Sequence, residues 1–266
     1  IISGTITGLG TVTGAITASG GAHITANAGT LTIAGAVTDS GGALVLTITG
    51  ATDNLTLNGA SSARTVTFSS TGTLELNTAG TLTVGTLMAV GGGTVKLDAL
   101  AGATQLTNAN GITLTGGTIR GTGSVEASTN ISGFGTVSIP ISTTGTITAS
   151  GGAGLALTLS GTVTNRTLVI STSAASNLTI GSTGTVTAAA LSISSANQTL
   201  GVAGALTLTG AQSMTLGKIT MAGGTLTDSS GLTVTAGTLS GCGKGAAKVS
   251  GDGATKAAGG VCDRTG

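Results

Sequence analysis

Thirteen Thr–aliphatic–Thr triplets recur along this chain of 266 residues, and their spacing limits its fold more than any other feature. They stand at 5–7, 11–13, 30–32, 47–49, 65–67, 81–83, 113–115, 146–148, 162–164, 185–187, 207–209, 225–227 and 233–235. Successive side chains of a strand point to opposite faces, so each aliphatic residue faces one way and its two threonines the other. Branching at Cβ suits Thr, Val and Ile to a pleated surface. Gly, Ser, Asn and Asp fill the stretches between triplets and mark turns. Strong helix formers are sparse, and glycine, with 49 residues, interrupts almost every window. Most triplet centres lie 16–23 residues apart, and two gaps of 32–33 span a skipped turn. A sandwich of antiparallel strands has no reason to favour one such spacing, whereas a coil of that length per turn does.

The predicted fold is therefore all-β, a parallel β-solenoid of about 13–15 coils with no significant helix. Val12, Leu31, Ile48, Val66, Leu82, Leu114, Ile147, Val163, Val186, Leu208, Leu226 and Val234 are expected to point inward, with the flanking threonines mostly outward. At roughly 4.8 Å per coil this makes a rod on the order of 65–70 Å long.

A longer repeat overlies the coil. ITGLGTV (6–12) returns as ISGFGTV (131–137), ITASGG (16–21) as ITASGG (147–152), and DNLTL (53–57) as SNLTI (176–180). LTNANGITLTGGTIRGTG (106–123) returns as LTDSSGLTVTAGTLSGCG (226–243), which puts Cys242 where the first copy has Thr122. Two related blocks, about 1–128 and 129–243, are expected to stack in one continuous solenoid, followed by a charged tail or cap over 244–266. In GTLTIAG, GTLTVG, GGTIRGTGSV and GFGTV the chain resembles the β-strand-repeat regions of very large bacterial surface proteins, the autotransporter passengers and filamentous-haemagglutinin-like adhesins. The resemblance covers roughly 1–243. It implies a right-handed β-helix, an extracellular setting and an adhesive or structural role, and it supplies no catalytic residues.

Little in the residues points to chemistry. Charged residues make up 6% of the chain and the net charge is +1. There is no basic run, and the aromatics are Phe68 and Phe134 alone, so the footprint of a nucleic-acid binder is missing. No apolar run approaches the ~18 residues of a membrane span. The acids Asp39, Asp53, Glu75, Asp98, Glu126, Asp228, Asp252 and Asp263 form no near pair in sequence, as two-carboxylate sugar hydrolysis would require of facing residues. His23 is the single histidine, which leaves His-based metal sites and serine triads poorly supplied. The expectation is a non-enzymatic protein with no cofactor and no metal. IISGTITG at the start has neither the charged region nor the cleavage pattern of a signal peptide, so the chain reads as processed, or as part of a longer one.

Asn54, Asn130, Asn165, Asn177 and Asn197 begin N-x-S/T sequons and are glycosylation candidates on an exported surface, or turn asparagines stacked between coils. Outward threonine ladders could also order water, as in ice-binding solenoids, although uneven coil lengths work against a flat plane. Cys242 and Cys262 are the only cysteines, and in an exported chain they are expected to form one disulfide. It would close a loop of about 20 residues and stabilise by roughly 3 kcal/mol. The first 17 residues hold no charge and no proline, so Ile2, Ile6 and Val12 mark a bare strand edge open to another chain. The functional expectation is an extracellular rod that assembles head-to-tail with itself into a filament, sheath or surface layer. The alternative is an adhesin stalk within a larger surface protein, with surface glycans or other cell-surface proteins as partners; an ice-binding protein comes third.

Overall fold

A computed structural model describes residues 3–100, 103–126, 129–142, 144–189 and 191–256. Among them there is no helix; the chain forms a parallel β-solenoid of about 11 turns. It divides into two compact units, Ile1–Ile131 and Ser132–Gly266.

In the first unit each turn carries three short strand segments. One series runs through 5–8, 23–26 and Val45–Ile48 to Thr65–Phe68. A second runs through 30–33, Asn54–Leu57, Thr73–Leu76, Thr94–Leu97 and 118–121. A separate six-stranded sheet forms the third side, from Ile16–Ala18 to Ser124–Val125. Every pair is parallel, and the pairing keeps like residues in line. Leu31, Leu55, Leu74, Val95 and Ile119 form one continuous inner column, all at 3% exposure or less. The second unit repeats the device: Leu157, Leu178, Leu200 and Ile219 align in one column, and Val163, Val186, Leu206 and Leu226 in another. A parallel ladder can stay open-ended in this way because each turn closes its hydrophobic face against the interior, and its backbone bonds against the turns before and after.

The expected inward residues are buried, with one exception. Val12, like Ile6, is half-buried, because the strand Thr5–Val12 has an inner face covered only from the side of His23–Ile33. None of the triplet threonines is buried. Ladder partners lie 18 residues apart at Thr5↔His23, 24 at Met88↔Ile112 and 16 at Thr238↔Ala254, close to the expected coil length. The turn count is lower than the expected 13–15 for a definite reason: a triplet marks a side of the turn, not a turn. The triplets at 5–7 and 11–13 both belong to the first turn, on two different strand segments, and those at 65–67 and 81–83 likewise share one turn.

Corners need special backbones. Gly121 ends the long strand Ile112–Gly121 at φ +126°, and a Cβ there would sit 2.0 Å from the Leu97 carbonyl oxygen of the previous turn. Buried glutamines bind other corners. Gln105 is 2% exposed; its Oε1 accepts from the Ala99 N–H (2.7 Å), and its Nε2 donates to the carbonyls of Asn77 and Gly80 (2.8 Å each). Gln198 accepts from the Ser194 and Ser195 N–H groups (2.7 and 2.9 Å) and donates to the Ile170 carbonyl (2.5 Å). Gln212 accepts from Leu191 N–H (2.7 Å) and donates to the carbonyls of Ala189 and Gly210. Each satisfies main-chain groups that the irregular corner leaves without a ladder partner, which is the condition for burying an amide without penalty.

Candidate functional surfaces

The outward faces are threonine-rich, and one lane of the first unit carries three charged residues. Thr32, Thr56, Glu75, Lys96 and Arg120 stand in register on five successive turns. Lys96 Nζ lies 2.5 Å from Glu75 Oε1 and 2.6 Å from Asp98 Oδ2, and Asn54 Nδ2 donates to Glu75 Oε2 (2.9 Å). Partial burial pushes the Glu75 carboxyl up, but hydrogen bonds from Lys96 and Asn54 and the charge of Lys96 outweigh it, so the group is held below the usual range. Hydrogen bonds to Asp98 and then Glu75 push the Lys96 ammonium up. The solenoid thus brings two carboxylates together that sequence order keeps apart. They share one ammonium, and Glu75 is stabilised as an anion, the opposite of what a general acid needs. This lane is a clamp between turns.

His23 is exposed and opens the strand His23–Ile33. Asp53 is buried and caps a corner, accepting from the N–H groups of Gly29 (2.8 Å) and Gly50 (2.6 Å). Asp228 and Asn108 are repeat counterparts, and both close a tight turn with Oδ1: Asn108 onto Asn110 N–H (3.0 Å), Asp228 onto Ser230 and Gly231 N–H (3.0 Å each). Arg166 is 2% exposed, and burial pushes its guanidinium down. Among the described residues no group of three or more His, Cys, Asp or Glu side chains is placed to hold a metal ion. No helix there is long and apolar enough to cross a membrane.

The sequon asparagines scatter over separate turns. Asn165 (φ +60°) and Asn197 are exposed, and their amides donate to the carbonyls of Ser142 (3.3 Å) and Thr172 (3.1 Å). Asn130 is exposed beside Ile131–Ser138, whereas Asn54 and Asn177 are half-buried within strands. Cys242 is half-buried on Thr238–Ser250, its backbone opposite Ala222. Cys262 and Ile2 lie outside the described residues. Ile6 and Val12, with Leu9 at 64% exposure between them, lie on the first strand.

One surface feature had no signal in the sequence, and a second is an outward threonine ladder of the kind the triplets predict. The first is an open groove of about 420 Å³ in the second unit, lined by Thr148, Val169, Ser171, Ser192, Ser194 and Gln198 among others and free of charged residues. The second is a threonine column, Thr187–Thr207–Thr227, whose companion column runs Thr185–Ala205–Thr225 and ends at Lys244. The first unit carries a longer column, Thr7–Thr25–Thr47–Thr67, in register on four successive turns. Comparison of the chain with protein-family models, with curated proteins and with solved structures returns no match.

Proposed function

We propose that the chain is an exported structural protein, a β-solenoid rod whose first turn receives the last turn of another copy, so that copies grow head-to-tail into a filament, sheath or surface layer. The observation that carries this reading is the strand Thr5–Val12. It pairs with His23–Ile33 along one edge, and its other edge pairs with no described strand. Half-buried Ile6 and Val12 and exposed Leu9 leave apolar surface on that turn. Unpaired backbone beside apolar side chains is a template for a further strand, and a contact between unlike ends does not close on itself. Charge supports the same pairing. Ile1–Ile131 contains five Asp/Glu and three Lys/Arg, net −2, and Ser132–Gly266 contains three and six, net +3. Opposite signs steer unlike ends together. On this reading the protein is not an enzyme.

Replacing Ile6 and Val12 together by Lys is expected to abolish assembly of the 266-residue chain, as followed by light scattering and electron microscopy. Fibres forming as readily as before would sink the proposal, as would a parent chain that stays monomeric at high concentration. The reading as an adhesin stalk is favoured by a different observation, the neutral hydroxyl-lined groove at Val169 and Ser192, which would be displayed rather than buried. In either setting Cys242 and Cys262 are oxidised to each other and pin the tail to the last turn. Non-reducing peptide mapping should then find one linked pair, and two free thiols in freshly exported material would reject it.

A further inference from the structure

The chain contains three Asn–Gly or Asp–Gly steps, at Asn58–Gly59, Asn110–Gly111 and Asp252–Gly253. An asparagine before glycine can lose its amide when the next main-chain nitrogen reaches its side-chain carbonyl, because glycine puts no Cβ in the way. The reaction needs that nitrogen free, the amide free to leave, and the carbonyl polarised. The structure separates the three steps on these criteria. Gly111 N–H donates to Asn108 O (3.1 Å), and Asn110 Nδ2 is tied to Gly85 O (2.9 Å). Gly253 N–H donates to Val234 O (2.8 Å). Among the described residues, Gly59 N–H meets no acceptor, and neither does Asn58 Nδ2. Asn58 Oδ1 accepts a hydrogen bond from Asn77 Nδ2 on the next turn (3.2 Å). A donor on the carbonyl oxygen stabilises the negative charge that develops there during attack. Asn58 N–H donates to Ile33 O (3.0 Å) and Gly59 O accepts from Ser61 Oγ (3.1 Å), so both sides of the step are anchored while its reacting atoms are not.

We infer that Asn58 is a self-processing site. Gly59 N gives its proton to water and bonds to Asn58 Cγ. The Cγ–Nδ2 bond breaks and the amide leaves as ammonia, closing a succinimide. Water then opens the ring on either side. Attack at Cγ restores the ordinary main chain with aspartate at 58; attack at the main-chain carbonyl leaves the chain running through Cγ as isoaspartate. No oxidant or cofactor is consumed. The second product matters for the fold. Gly59 lies against the backbone of the turn before it, where even a Cβ would come within 2.9 Å of Ala36 N. An extra methylene in the main chain therefore has to be taken up between Asn54–Leu57 and Ala60–Ala63, loosening that corner.

The test is ageing of the intact chain in mildly alkaline buffer at physiological temperature, with peptide mapping that separates aspartate from isoaspartate, beside the same chain in denaturant. Unfolded, the two Asn–Gly steps should react at similar rates. Folded, Asn58 should convert well ahead of Asn110. Asn77→Ala should slow the folded reaction at 58 by roughly three- to tenfold, the worth of one neutral hydrogen bond in the rate, and leave the unfolded rate unchanged. Asn58→Gln should block it. Equal folded rates at 58 and 110, an unmodified Asn58, or an Asn77→Ala chain that reacts like the parent would each overturn the inference.

Discussion

Val163→Asp is expected to collapse the second unit's strand signal at temperatures where the parent is fully folded. Val163 is 0% exposed, stands in register with Val186, and bridges to Ile141 on the turn before. Nothing in that column can ionise or donate to a carboxylate; its members are Val, Leu and Ile. A charge placed there loses its hydration with no partner in return, at a cost of about 3–5 kcal/mol, a large share of the net stability of an ordinary domain. In a solenoid the damage is not confined to one site, because each turn is held by its neighbours. Thermal melting by far-UV circular dichroism is the measurement, with Val163→Leu as the volume control. A Val163→Asp chain that melts with the parent would mean that Val163 does not face the interior.

The second large effect belongs to a glycine. Gly121→Ala is expected to destabilise by about 3 kcal/mol or more, from two sources: a φ of +126° that L-residues avoid, and a Cβ driven onto the Leu97 carbonyl oxygen at 2.0 Å. Gly8 separates the two. It has a similar φ of +116° but open space where its Cβ would go, so Gly8→Ala should show the backbone cost alone, about 1 kcal/mol. Denaturant melts of both variants check this. Equal losses would show that the close approach to Leu97 contributes nothing.

Much of the fold was legible in the sequence because period-two alternation marks the triplets from Leu31 to Val234. The aliphatic centre of each triplet from Leu31 to Val234 is buried, and no triplet threonine is. The number of turns was not legible, since the same triplet serves on any side of a turn and only the pairing shows which segments share a turn. Nor were the corner residues. Nothing in the sequence marks Gln105, Gln198, Gln212 or Asp53 as special, and they are buried because the irregular corners between strands leave main-chain groups that their side-chain amides or carboxylate bind. The clamp of Glu75, Lys96 and Asp98 was hidden for another reason: Glu75 and Lys96 are 21 residues apart, and the length of that particular turn sets whether they meet.

The uneven turn length has a consequence for how such a chain tolerates change. The inner columns stay aligned although the ladder spacing ranges from 16 to 24 residues, so the surplus is absorbed at corners and at the register shifts between strand segments. A residue gained at a corner leaves every column where it was. A residue gained inside Thr73–Leu76 would swap Leu74 with Glu75 across the sheet, exposing one and burying the other. Insertions are therefore sorted by address more than by size: corner loops can lengthen and diversify freely, whereas the strands accept only exchanges that respect parity. The molecule has a conservative interior and an editable exterior, and the boundary between them is drawn residue by residue along the same strand.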